Sequence, residues 1–157
     1  MQDNTDNEQP ISDLYNTLLR EWNKRSAGGF AGVFAGDGNM IGFDGSQLNG
    51  QAEIYAVFGE IFGDFPTAAY VAIIKEIRLL TADTALLLAV AGMVPEGQDD
   101  ISPAVNAVHS ITAVKVDGEW RVALFQNTPA AFHGRPEMSE KLTEDLRRAL
   151  YLSSSAN

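Results

Sequence analysis

Two periodicities divide this chain. From Asp13 to Lys24, Leu14, Tyr15, Leu18, Leu19 and Trp22 recur at helical spacing, which predicts an amphipathic first helix with Ser12 placed to cap its N-terminus. Ser26 to Ala35 predicts a shorter helix, interrupted by Gly28, Gly29 and Gly32, whose Phe30, Val33 and Phe34 pack back onto the first. Gly36-Asp37-Gly38 ends it, and a short strand follows from Asn39 to Phe43. Asn49 to Glu53 opens a third helix with Ile54, Val57, Phe58, Ile61 and Phe62 as its buried stripe, and Gly63 and Pro66 stop it.

Beyond Pro66 the period falls from 3.6 to 2. Ala68 to Leu80 reads as a strand with Ala69, Val71, Ile73, Lys75, Ile77 and Leu79 on one face. After a turn at Ala82-Asp83-Thr84, the nearly continuous apolar run from Ala85 to Val94 is that of a strand covered on both faces. Glu96 to Ser102 is an exposed loop. Ala104 to Pro129 is a long β-hairpin reversing at Asp117-Gly118, where the left-handed backbone of a tight turn is easily reached. A two-residue loop sets Val116 against Glu119 and His109 against Gln126; a three-residue loop sets His109 against Asn127 instead. A last amphipathic helix spans about Met138 to Tyr151. Helices first and four long consecutive strands after them predict an α+β fold, helices packed on a curved antiparallel sheet. Residues 1–10 are expected to be a disordered tail, 11–132 the domain, and 133–157 a C-terminal helix and tail.

At 157 residues the chain is one domain by size. A formal charge of −10 with no basic face argues against nucleic acid as a partner. The absence of cysteine removes disulfides, thiol nucleophiles and thiolate metal sites. No apolar run approaches the roughly 18 residues of a membrane span, and the polar start MQDNTDNEQP has no signal-peptide pattern, so a cytoplasmic protein is expected.

Several short stretches carry a family likeness: Glu21-Trp22-Asn23, Val33 to Gly38, Gly50 to Ile54, Gly118 to Val122 and Phe125 to Pro129. In order and spacing the chain resembles the nuclear-transport-factor-2-like (NTF2-like, SnoaL-like) superfamily, and within it the small bacterial SgcJ/EcaC group. The resemblance covers residues 11 to 132. It implies a cone-shaped α+β fold enclosing a pocket, and a homodimer formed through the outer sheet face. It fixes no activity, because this fold hosts isomerases, cyclases, dehydratases and pure binding modules. Two departures narrow the choice. Phe58 stands where the group often has a histidine, and Ser110 or Ile111 stands where ketosteroid isomerase has an inward acid, so steroid isomerisation is not expected.

His109 is the sharpest chemical candidate, as a general base or as a donor to a ligand carbonyl. Gln126 and Asn127 lie on opposite faces of one strand, and the resemblance implies one of them at the pocket mouth, where an amide can orient a ligand. Tyr15 and Trp22 share a helix face, and the resemblance makes them, with Phe34 and Phe58, candidate pocket walls. Each of these aromatics also has an ordinary core role. Asp44 is a weaker candidate base, since it also fits a turn before Gly45, and Asp37 reads as a turn residue. His109 and His133 lack metal-binding spacing, so no metal is expected. The resulting expectation is a pocket for a small apolar organic molecule, with cofactor-independent proton transfer (isomerase, cyclase or dehydratase) if it is an enzyme and no cofactor required. The alternative is a dimerisation or interaction module with a vestigial pocket.

Overall fold

The computed structural model describes residues 4–155. Helix α1 (Asn4–Asn23) and the short α2 (Ala27–Gly32) lead into β1 (Phe34–Ile41) and β2 (Gln47–Asn49). Helix α3 (Gln51–Asp64) precedes four long strands: β3 (Ala69–Thr81), β4 (Thr84–Val94), β5 (Ala107–Val116) and β6 (Glu119–Pro129). Helix α4 (Pro136–Ser155) ends the described chain. The six strands form one mixed sheet in the order β2-β1-β6-β5-β4-β3. Strands β3 to β6 make the expected antiparallel meander, whereas β1 runs parallel to β6. The class is α+β as expected, with the sheet mixed rather than wholly antiparallel.

Three boundaries differ from the sequence expectation. Residues 4–10 continue α1 toward the N-terminus; residues 1–3 lie outside the described chain. Apart from Pro10 this stretch is polar in sequence, so no apolar period betrays the helix. Helix α2 stops at Gly32, and Phe34 starts a strand instead of ending a helix. The Gly36-Asp37-Gly38 segment lies within β1, where the pairing with β6 slips between Phe34 and Asn39. Gly38 is needed there, since a Cβ would stand 2.7 Å from the Val122 carbonyl oxygen.

The hairpin turn is the predicted two-residue one, with Asp117 and Gly118 at positive φ and Val116 opposite Glu119. Val122 still pairs with Ala113, but Leu124 then pairs with Thr112, so Ala123 is an extra residue in β6. That bulge sets His109 opposite Asn127, the pairing a longer loop would have produced, and Gln126 opposite Ser110. A second bulge at Lys75 divides the face expected for β3. Tyr70, Ala72, Ile74, Ile77 and Leu79 join the main core, while Val71 and Ile73 face the other way.

The main core lies between the sheet and helices α1 to α3, with Tyr15, Leu18, Phe30, Phe34, Ile54, Leu87, Ile111 and Phe125 almost wholly enclosed. The opposite face of β3 and β4 carries a smaller core. There Leu142 and Leu146 of α4 pack with Ile101 against Val71, Ile73, Val90 and Val94. Helix α4 therefore covers part of the face on which a dimer contact was expected.

Candidate functional site

The site starts from an edge-strand problem. Strand β3 ends the sheet, so the outward backbone groups of its first residues need partners from elsewhere. The end of α1 and the turn after it supply them, for Tyr70 and for the two residues that lead into the strand. Asn23 bonds both sides of Tyr70, accepting from its backbone N–H (2.8 Å) and donating to its carbonyl (3.1 Å). Trp22 Nε1 donates to the Ala68 carbonyl (2.9 Å), and the Arg25 guanidinium donates to that of Thr67 (2.9 Å). The Trp22-Asn23 pair thus fixes where Tyr70 enters the core.

Trp22 is also the hub of an aromatic cluster, with ring centroids 5.0 Å from Tyr70, 5.3 Å from Phe58 and 5.4 Å from Phe62, in tilted or edge-on contacts. Beside this cluster is a pocket of about 250 Å³. Trp22, Phe58 and Ile61 form its helical wall, Met40, Tyr70, Met93 and Asn127 its sheet wall, and Gly42, Phe43 and Val105 come from connecting segments. The lining is almost wholly apolar. Three lining residues have polar side chains: Tyr70, Asn127 and Trp22, whose N–H is engaged with Ala68.

Tyr70 and Asn127 are joined, Asn127 Nδ2 donating to the Tyr70 oxygen at 3.0 Å. Behind them lies His109, fully buried, its ring 5.0 Å from Tyr70 and 4.9 Å from Phe125 by centroids. Its Nδ1 is 2.8 Å from the Tyr15 hydroxyl. Burial pushes the imidazole pKa down to about 3. The Asn127 amide lies near enough to favour the charged ring, yet His109 Nε2 and Asn127 Oδ1 have no partner meeting hydrogen-bond geometry. Burial likewise raises the phenol pKa values of Tyr15 and Tyr70 well above their ordinary range.

Of the residues singled out from sequence, Trp22, Phe58 and Asn127 line the pocket. Tyr15, Phe34 and His109 are in the core and do not line it. Gln126 is on the opposite sheet face, placed there by the Ala123 bulge. Asp44 sits on the exposed β1–β2 turn and accepts from the Ser46 backbone N–H (2.9 Å), which holds its carboxyl below the usual range. It is a turn residue, removed from the pocket lining. Tyr70 and Met93 went unremarked in the sequence. The signal for Tyr70 was its inward phase on β3, which the bulge at Lys75 scrambles further along the strand. Among the described residues no three His, Asp or Glu side chains gather as metal ligands, and no helix is long and apolar enough to cross a membrane.

No family model matches the sequence, and no curated protein matches it. Solved structures do. A domain of unknown function with a cystatin-like fold from Nostoc punctiforme is 24% identical and superposes with a TM-score of 0.76, over 97% of each chain. A putative scytalone dehydratase from Novosphingobium aromaticivorans is 17% identical at a TM-score of 0.69, covering 81% of this chain and 86% of its own. An NTF-2 like protein of unknown function from Shewanella oneidensis is 18% identical at 0.64, covering 76% and 97%. The chain has the NTF2-like fold.

Proposed function

We propose that the protein binds a small, largely apolar organic molecule bearing one polar oxygen function, in the pocket between Trp22, Phe58 and the β3–β6 end of the sheet. The observation that carries this reading is an apolar hollow of about 250 Å³ whose wall has one joined polar pair, Tyr70 and Asn127. Apolar lining supplies affinity, and a few fixed polar groups supply orientation. His109 supports the pair from behind. An imidazole with a pKa of about 3 is a weak base at neutral pH, so the general-base role gives way to a positioning one. If the ligand is turned over, the chemistry is proton transfer without a cofactor, as in isomerisation, cyclisation or dehydration, with Tyr70 and Asn127 as the groups in contact.

The sheet face opposite the pocket favours self-association as a second property. Leu88 and Val108 are 41% and 37% exposed there, beyond the part that α4 covers. A homodimer meeting through this remainder would bury them.

The test of the binding reading is native mass spectrometry of freshly purified protein, followed by denaturing release and addition of 1-tetralone to any empty fraction. A stoichiometric small-molecule adduct, lost in the pocket-filling variant Ile61→Trp, is the expected result. A wild-type protein that is empty and takes up no 1-tetralone would contradict it.

A further inference from the structure

We propose that the Tyr70 hydroxyl is a hydrogen-bond donor of fixed direction, and that the ligand class it selects is one presenting an acceptor oxygen: a ketone, ester or ether. This rests on the binding reading above and narrows it.

The direction follows from accounting for every proton behind the pocket. Tyr15 is fully enclosed, and among the described residues its hydroxyl has one partner, His109 Nδ1 at 2.8 Å. A buried hydroxyl that donates to nothing is unfavourable, so Tyr15 donates and Nδ1 accepts. The ring proton of the neutral imidazole is then on Nε2, and burial keeps the ring neutral. The residue directly opposite His109 is Asn127, whose Oδ1 is buried without a partner, as is Nε2. One atom is a donor and the other an acceptor, so an amide with its oxygen on the ring side suits both. Its nitrogen then donates to the Tyr70 oxygen at 3.0 Å. Having accepted that bond, Tyr70 keeps its own O–H, which has no other partner among the described residues, and Tyr70 lines the pocket.

The opposite polarity would turn the amide over, make Tyr70 donate to Asn127, and move the ring proton to Nδ1. It would leave the Tyr15 O–H enclosed with no acceptor. Four side chains from four elements, Tyr15 to His109 to Asn127 to Tyr70, therefore point their protons one way, toward the ligand. Tyr15, His109 and Asn127 are positioning residues that act through Tyr70.

The probes are 1-tetralone and tetralin, which share a skeleton and differ at the carbonyl. Affinities are measured on the full chain by titration calorimetry, together with the infrared carbonyl stretch of bound tetralone. Wild type should prefer tetralone by about tenfold, the worth of one good hydrogen bond, with the stretch moved to lower frequency. Tyr70→Phe should lose the preference, binding the two probes about equally, and return the stretch toward its apolar-solvent position. Tyr15→Phe, which frees the imidazole to change tautomer, should shrink both effects while the tetralin affinity holds; a protein merely loosened by the change would lose both ligands together. Equal wild-type affinity for the two probes, or a preference that survives Tyr70→Phe, overturns the inference and leaves the pocket reading standing. Binding of neither probe defeats the pocket reading itself.

Discussion

At the scale of single residues, His109 dominates because it is a titratable ring surrounded by groups that carry no charge. Tyr15, Tyr70, Phe125 and Asn127 are its neighbours, and burial lowers its pKa from an ordinary 6.5 to about 3. The consequence for stability has a definite sign. Between those values the unfolded chain holds a proton that the folded chain refuses, so the stabilising contribution is complete above about pH 6.5 and is lost as pH falls toward 3. Urea midpoints measured from pH 7 to 4.5 should show stability falling with a slope approaching ~1.4 kcal/mol per pH unit. The His109→Gln variant should be less stable at neutral pH but nearly flat across that window. A flat wild-type profile would mean that the ring is hydrated. His109 was recognisable in the sequence as a histidine on a hairpin face that also carries Ile111, Ala113 and Val122. Its partner was not, because the choice between Gln126 and Asn127 depends on a single extra residue, Ala123, that no local pattern marks.

At the scale of elements, α4 is the piece that sequence reading left unplaced. Its amphipathic stripe was visible, but a stripe does not say which surface it covers. Three contacts answer that. Leu146 is fully buried on the outer face, Thr143 accepts from Asn106 Nδ2 at 2.8 Å, and Arg147 grips both Asp100 oxygens at 2.9 and 3.1 Å. Gly92 makes the fit possible, since a Cβ there would stand 2.9 Å from Leu146 Cδ1 and 3.2 Å from Asn106 Oδ1. Leu146→Ala should cost about 2–5 kcal/mol in chemical denaturation, as for other buried leucines. Gly92→Ala should also destabilise, by pushing the helix outward, and the double variant should fall short of the sum because both act on one contact. Strict additivity would show that Gly92 does not meet Leu146. The first helix teaches the complementary lesson. Residues 4–10 are helical without an apolar face of their own, and polar sequence alone does not distinguish an exposed helical extension from a tail.

At the scale of the whole molecule, the order of elements and the family likeness in short stretches were enough to reach the α+β, NTF2-like architecture. The likeness at Glu21-Trp22-Asn23 has a physical basis in the structure, because Trp22 and Asn23 tie β3 to α1 and seat Tyr70. The parallel pairing of β1 with β6 and the covering of the outer face by α4 were not legible, since both are relations between distant segments. Self-association belongs to this scale. If copies meet on the uncovered outer face, sedimentation velocity should report a dimer for wild type and a monomer for the Leu88→Glu/Val108→Lys pair, with the helix and strand content of both unchanged by circular dichroism. A wild-type monomer, or a dimer indifferent to both changes, would remove that face from consideration.

The hollow beside Trp22 is the proposed ligand site. Its most direct test is a calorimetric titration of 1-tetralone into the wild-type protein and into Ile61→Trp, a variant that fills the hollow from its helical wall and leaves Tyr70 and Asn127 unchanged in sequence. Saturable one-to-one binding to wild type that disappears in the variant is the predicted result. No saturable heat with wild type, or equal binding to a variant shown to be folded, would contradict the claim.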